Sequence, residues 1–276
     1  MSRPRAAVVG FPVKHSLSPL IHGLWLRAAG VDGDYVTVEA PPDRFEAVIA
    51  ELRSAGLRGV NVTVPHKEAA LAFADRADAS ATAAGAANLL LFSAYGVEAR
   101  NTDGFGMTLA LAEQAPAWRP AGATVVILGA GGAARGAAAA LRQAGVGTIR
   151  IVNRSLDRAQ EVAEGVEGEA MRWLEMERAF DGATLVVNAT TLGLEGVEPL
   201  YPVWPKPPAG AAALDMVYRP LRTAFLETAA RAGWATADGL AMLIGQARPS
   251  FQALFGEAPS AEVDVRGACL DLMAQG

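Results

Sequence analysis

The chain has 276 residues, 51% of them hydrophobic and 19% charged, with a formal net charge of −5 and a single cysteine. That size allows one large or two modest domains, with no collagenous, disordered or disulfide-framed signature. The acidic balance argues against nucleic acid or an anionic membrane surface as the main partner, while a local cluster of donors could still hold a small anion.

In chain order, short apolar runs alternate with amphipathic helical segments, the pattern of an α/β protein. Ala6–Gly10, Tyr35–Glu39 and Gly59–Val64 read as strands. Pro19–Ala29 and Asp43–Ser54 read as helices, closed by Gly30 and Gly56. Ser18-Pro19 reads as an N-cap followed by a proline at the first helical position. Asn88–Phe92 and Val97–Arg100 form an expected hairpin around Ala94-Tyr95-Gly96. The first strand is too short for a signal-peptide core and runs into Gly10 and Pro12. The uncharged 120–134 stretch is too glycine-rich for a membrane span. A cytoplasmic protein is therefore expected, and Cys269 reads as a core thiol in a reducing compartment.

The pattern breaks across residues 114–122 and a βαβ unit begins at Thr124. It comprises strand Thr124–Leu128, a small-residue helix from about Gly131 to Ala144, and strand Thr148–Val152. Thr184–Asn188 and Ala211–Met216 read as further strands, and the chain ends in helices near Leu240–Phe255 and Ala261–Met273. Pro249 falls inside the first of these and is expected to kink it.

Gly129-Ala130-Gly131-Gly132-Ala133-Ala134 lies between strand and helix with the spacing G-x-G-x-x-A, a variant of the dinucleotide fingerprint. Gly129 permits the tight turn, Gly131 lets the backbone approach a pyrophosphate, and the helix N-terminus supplies free amides. The second strand ends in Asn153-Arg154-Ser155-Leu156-Asp157-Arg158. An NAD site usually places an acid there for the ribose hydroxyls; Arg154 and Arg158 instead suit a 2′-phosphate, so NADP is the expected cofactor. The bland alternative is that Ser155 caps the next helix and both arginines are solvated.

Three polar segments stand at strand ends in the first part of the chain. They are His15-Ser16-Leu17-Ser18-Pro19, Asn61-Val62-Thr63-Val64-Pro65-His66-Lys67 and Asn101-Thr102-Asp103-Gly104. Ligands of open α/β sheets gather outside the carboxyl ends of strands, so these segments could converge on one. Taken singly, Thr102 or Asp103 could be a helix cap and Lys67 a solvated first-turn residue. His15, His22 and His66 match no metal spacing, and no metal is expected.

With Ala84-Gly85-Ala86-Ala87-Asn88, Asn188-Ala189-Thr190, Asp215-Met216-Val217-Tyr218 and Ala237-Asp238-Gly239-Leu240 through Gln246, these segments form an ordered series. Over nearly the whole chain that series resembles the shikimate dehydrogenase family. The resemblance implies two domains: a substrate-binding α/β domain over residues 1–104 plus 239–276, to which the C-terminal helices return, and a Rossmann-type NADP-binding domain over 105–238. It implies reversible reduction of 3-dehydroshikimate to shikimate with NADPH, in aromatic amino-acid biosynthesis.

By the same resemblance Lys67 and Asp103 are the catalytic pair. Ser16, Ser18 and Tyr218 hold the substrate carboxylate, and Asn61, Thr63, Asn88, Asp103 and Gln246 its ring oxygens. Gly129, Ala130, Gly131, Gly132, Ala133, Asn153, Arg154, Ser155, Arg158, Thr190, Met216 and Gly239 face the cofactor. The small-molecule substrate is the expected partner; the family includes monomers and homodimers. The rival readings are a quinate/shikimate dehydrogenase of broader specificity, opposed by Arg154, Arg158 and the absence of an acid at Leu156, and a non-catalytic NADP-sensing relative, which should have lost Lys67 or Asp103. Thr223-Ala224 departs from the family's commoner threonine-proline.

Overall fold

The computed structural model describes residues 3–275. The chain divides into two compact units, Met1–Thr102 with Leu243–Gly276, and Asp103–Met242. Each has its own six-stranded sheet.

The first unit begins with β1 (Arg5–Gly10), α1 (Ser18–Ala28), β2 (Asp34–Glu39), α2 (Phe45–Ser54) and β3 (Gly59–Val62). It continues with α3 (Lys67–Phe73), β4 (Arg76–Ala77), α4 (Ala79–Ala84), β5 (Leu89–Ser93) and β6 (Gly96–Arg100). The strand order is β2-β1-β3-β5-β6-β4. β1 runs parallel to both β2 and β3, and β5 is antiparallel to β3 and to β6. The sequence therefore switches direction across β1, and the carboxyl ends of β1 and β3 lie side by side at the crevice where open sheets bind ligands. Gly10 is required at that point: a Cβ there would stand 2.4 Å from the Thr63 methyl carbon.

Three local expectations differ. β3 stops at Val62: the Thr63 amide still donates to the Val9 carbonyl, but the Thr63 carbonyl is taken by the His66 amide, and the Phe11 amide donates to Val64 instead. The second helix is preceded by a separate 3-10 turn, Pro42–Arg44, and begins at Phe45. Ser18 is not a cap but the first residue of α1, with Leu17 at the cap position; the Ser16 hydroxyl accepts from the Ser18 amide at 3.2 Å.

The second unit contains α5 (Asp103–Gln114), β7 (Thr124–Leu128), α6 (Gly132–Gln143), β8 (Thr148–Asn153), α7 (Leu156–Glu164), β9 (Glu169–Arg172), α8 (Met176–Ala179), β10 (Leu185–Asn188), β11 (Ala212–Asp215), α9 (Ala224–Arg231) and β12 (Ala235–Ala237). All strands are parallel in the order β12-β11-β10-β7-β8-β9. This is the doubly wound mononucleotide-fold arrangement, with its switch point between β7 and β10. Parallel strands covered on both faces read as continuous apolar runs, as in Val125-Val126-Ile127-Leu128, all fully buried. On α6, Ala134, Ala137, Ala138 and Leu141 recur at helical spacing and are buried against this sheet. Small residues also let α5 approach α6 closely, since a Cβ on Gly104 would overlap that of Ala140 at 2.4 Å.

The chain then returns to the first unit through α10 (Gly239–Phe255), which spans the unit boundary, and α11 (Val265–Ala274), which packs on α1. Pro249 lies inside α10, which continues through it as one helix; the Ser250 hydroxyl donates to the Gln246 carbonyl at 3.2 Å. Among the described residues, no helix is long and apolar enough to cross a membrane.

Candidate active site

Within the first unit, side chains from five separated segments meet in one hydrogen-bonded patch. Asn61, at the third position of β3, is buried and accepts on Oδ1 from the Tyr35 hydroxyl of β2 at 2.8 Å. Its amide nitrogen donates to the Asn88 carbonyl at 3.1 Å and to the Ser250 hydroxyl of α10 at 3.0 Å. The Asn88 side chain accepts from the Thr102 amide at 2.8 Å and donates to the Thr102 hydroxyl and to the Gln246 carbonyl oxygen Oε1 at 2.9 and 3.2 Å. The Thr102 hydroxyl also lies 3.1 Å from Gln246 Oε1. At the other end, the Ser18 side chain stands beside Tyr35.

The sequence-predicted residues Asn61, Asn88 and Gln246 are thus joined, with Ser18 beside them and Ser16 on the Ser18 amide. Three members were not foreseen as site residues: Tyr35, Thr102 beyond a cap role, and Ser250. Ser250 had a signal, its i+4 spacing from Gln246 on one helical face; Tyr35, a lone aromatic on an unremarkable strand, had none. Thr63 is half-buried beside the loop after β1, its methyl group against Gly10. Lys67 opens α3, is half-buried, and holds the Asn88 segment through its backbone, accepting from the Ala87 amide at 2.8 Å.

His66 is a packing residue: its Nε2 is 2.7 Å from the Ala40 carbonyl and its ring stacks on Phe45. His22 is buried among Tyr35, Trp25, Phe251 and Phe255, stacked on Tyr35 at 4.0 Å. Neither of its ring nitrogens has a hydrogen-bond partner among the described residues, and burial depresses its pKa to about 3. Among the described residues, no group of three or more His, Cys, Asp or Glu is placed to hold a metal ion. Cys269 is buried, its thiol pushed up to about 11 by desolvation.

In the second unit, three loops converge at the carboxyl ends of β7, β10 and β11. Gly129 adopts φ +109°, and a Cβ on it would stand 3.0 Å from the Ala189 carbonyl and 3.1 Å from the Thr190 methyl. That explains the glycine twice over, by conformation and by close approach. A Cβ on Gly131, by contrast, would meet nothing within 4 Å. The backbone there faces open space just before the first turn of α6, whose amides have no intrahelical acceptor. A diphosphate fits such a cradle.

Thr190 is tied down by its own loop, its hydroxyl donating to Asn188 Oδ1 at 2.7 Å. The Met216 amide donates to the Asn188 carbonyl at 3.0 Å. Gly239 is crowded by the Met216 and Val217 carbonyls, each 2.6 Å from where its Cβ would be. Thr190, Met216 and Gly239, far apart in sequence, therefore border the same strand ends as the glycine turn.

Behind them lies Asp215, fully buried. Its carboxylate accepts from Asn188 Nδ2 at 2.9 Å, the Val217 amide at 2.9 Å and the Thr223 hydroxyl at 2.6 Å. Desolvation raises its pKa to about 6 against the pull of those three donors. Thr223 in turn caps α9. Asn188 and Asp215 both fall in the ordered series of segments, but their pairing was not read from it.

At the end of β8, Asn153 donates to the Ser155 carbonyl, and Ser155 caps α7 as expected. Arg154 and Arg158 are exposed there. Asp103, buried, opens α5, and Tyr218 is half-buried beyond β11.

Fold and site define a two-unit α/β protein whose second unit is of the doubly wound Rossmann type. Residues 8–90 match the family model described as the shikimate dehydrogenase substrate binding domain, and residues 110–193 that of shikimate / quinate 5-dehydrogenase. An NADP(+) shikimate dehydrogenase of Caulobacter vibrioides is 48% identical, covering 97% of this chain and 95% of its own length. The shikimate 5-dehydrogenase of Thermus thermophilus, solved with NADP(H) and shikimate, superposes with a TM-score of 0.83 at 37% identity, covering 99% of this chain and 98% of that one. A quinate dehydrogenase from Corynebacterium glutamicum, solved with NAD, superposes with a TM-score of 0.85 at 26% identity, covering 98% and 99%. The chain belongs to the shikimate dehydrogenase family.

Proposed function

We propose that this chain catalyses the reversible NADPH-dependent reduction of 3-dehydroshikimate to shikimate. The observation that carries this reading is the assembly of Ser18, Asn61, Asn88 and Gln246, from four distant segments, into one buried polar patch. Buried polar groups cost free energy unless they are satisfied. A wall of serine and carboxamide groups matches a small ligand that carries a carboxylate and several hydroxyls. The full-length likeness to NADP-dependent relatives supports the same reading.

Bound NADPH would supply the hydride. The chain's own part is to bind, orient and protonate. Hydride arriving at a ring ketone leaves negative charge on its oxygen, and Lys67, as an ammonium, would stabilise that charge and donate the proton. General acid catalysis of this kind contributes roughly 10²–10⁴-fold. Asp103 would hold the lysine and a neighbouring substrate hydroxyl in position, orientation being where such sites gain rate. Ser16, Ser18 and Tyr218 would take the carboxylate, and Asn61, Thr63, Asn88 and Gln246 the ring oxygens.

For the cofactor, the open cradle before α6 would receive the diphosphate, bordered by Gly129 through Ala133 with Thr190, Met216 and Gly239. Asn153, Arg154, Ser155 and Arg158 would face the adenosine 2′-phosphate, where an NAD site would carry an acid. A cytoplasmic, reducing location suits a chain with one buried thiol and no partner for it.

The test is initial rates followed by absorbance with shikimate and NADP, then NAD, then quinate. Turnover confined to shikimate with NADP, and its loss in Lys67→Ala, is the expected result. Comparable rates with quinate and NAD would move the protein to the broader relative, and no turnover at all would refute the assignment.

A further inference from the structure

We propose that Tyr35 and Ser250 are positioning residues that lock the orientation of the Asn61 amide, and so fix which kind of substrate group Asn61 can accept. The inference rests on the reading of Asn61 as a substrate contact.

One carbonyl fixes the orientation. The backbone oxygen of Asn88 can only accept, and it lies 3.1 Å from the Asn61 side chain. The amide nitrogen must therefore face it, since the flipped amide would set two acceptors against each other. The second amide proton points at the Ser250 hydroxyl at 3.0 Å. Ser250 gives its own proton to the Gln246 carbonyl at 3.2 Å, so it meets Asn61 as an acceptor.

With nitrogen placed, Oδ1 faces Tyr35, which has one proton and commits it to Asn61 at 2.8 Å. The direction of the Tyr35 to Asn61 bond therefore follows from the Asn88 carbonyl.

Two consequences bear on the ligand. Both amide protons of Asn61 are spent inside the unit, leaving only a lone pair of Oδ1 to offer. Asn61 therefore selects a hydroxyl donor and disfavours a carbonyl or carboxylate oxygen at its position. Tyr35, Asn61 and Ser250 are all buried, at 8%, 6% and 0% exposure, where an unmatched acceptor is costly. The network contains no charge in the physiological range, because burial holds the Tyr35 phenol far above its usual pKa and keeps it protonated.

The experiment compares Tyr35→Phe, Ser250→Ala and Asn61→Ala with the full-length enzyme, measuring KM for shikimate, KM for NADP, kcat and thermal midpoint. Tyr35→Phe is expected to raise the shikimate KM by roughly three- to tenfold, the worth of one lost neutral hydrogen bond. The NADP KM and kcat should stay within twofold. Ser250→Ala should act in the same direction and keeps the test open if Tyr35→Phe folds poorly.

An unchanged shikimate KM in both variants, while Asn61→Ala raises it, would overturn the inference and leave the substrate reading intact. Equal losses for shikimate and NADP together with a lowered thermal midpoint would also overturn it, since a merely structural role gives that pattern. An unchanged shikimate KM in Asn61→Ala would overturn the substrate reading itself, and the inference with it.

Discussion

His22 should make the enzyme's stability depend on pH in a way that one substitution abolishes. The ring is buried against Tyr35, Trp25, Phe251 and Phe255, and its pKa falls from an ordinary 6.5 to about 3 because burial penalises the charged form. The fold thus prefers the neutral ring. Above pH 6.5 folded and unfolded chains are both neutral at this position, and the full stability is present. As pH falls toward 3 the unfolded chain takes up a proton that the folded one refuses, so stability is lost through that window. At about 1.4 kcal/mol per pH unit, His22 should cost about 3 kcal/mol by pH 4.5 and up to about 5 in total.

His22→Phe keeps a ring in the stack and removes the titration. It also removes two buried nitrogens without protein partners, so at pH 7 the variant should be as stable as the wild type or more so. Urea unfolding of both proteins from pH 7.5 to 4.5 checks this, because other titrating groups contribute equally to each. The stability difference should widen in favour of the variant as pH falls. Parallel curves would refute the reasoning and mean that the ring is protonated or hydrated in the native state.

Two further outcomes are expected. Arg154→Ala should raise the KM for NADP by about tenfold or more while leaving that for NAD nearly unchanged, since a charge-assisted bond to the 2′-phosphate is worth roughly 1.5–3 kcal/mol; equal effects on both cofactors, in the same rate assay, would remove it from that role. Asp215→Ala strands three buried donors, from Asn188, Val217 and Thr223, and should lower stability by about 3–5 kcal/mol in urea unfolding. Asp215→Asn, which keeps an acceptor and removes the cost of burying charge, should lose far less; equal losses would show that the charge itself is needed.

The sequence was most legible where local chemistry and tertiary demand agree. The run Val125-Val126-Ile127-Leu128, a glycine of positive φ and an alanine-faced helix specify a strand, a turn and a close-packed helix independently, and β7 occupies the residues read for it. Legibility fell where one demand overrode another. Val64 looks like strand, yet its carbonyl is claimed by the Phe11 amide. Ser18 looks like a cap, but the Ser16 hydroxyl reaches its amide first. The short elements α4, β9 and α8 carry too few residues to show a period, and tertiary contacts hold them.

In the candidate site, the residues proposed to meet a ligand stood out because polar groups at strand ends are unusual. Tyr35 and Ser250, which face other protein groups, did not stand out, and Asp215 did so only as part of a motif, without its partners. Their partners lie 26, 189 and 27 positions away, and no local pattern encodes such a pairing.

The return of α10 and α11 to the first unit sets an order of events during synthesis. The second unit is one uninterrupted stretch of chain, whereas the first is written in two instalments on either side of it. Until the last helices leave the ribosome, Asn61 lacks Ser250 and Asn88 lacks Gln246, so the patch stands open to water. The nascent protein can therefore complete its Rossmann-type unit first. It closes the polar wall of the other only after residues 246 and 250, beyond the whole second unit, have been made.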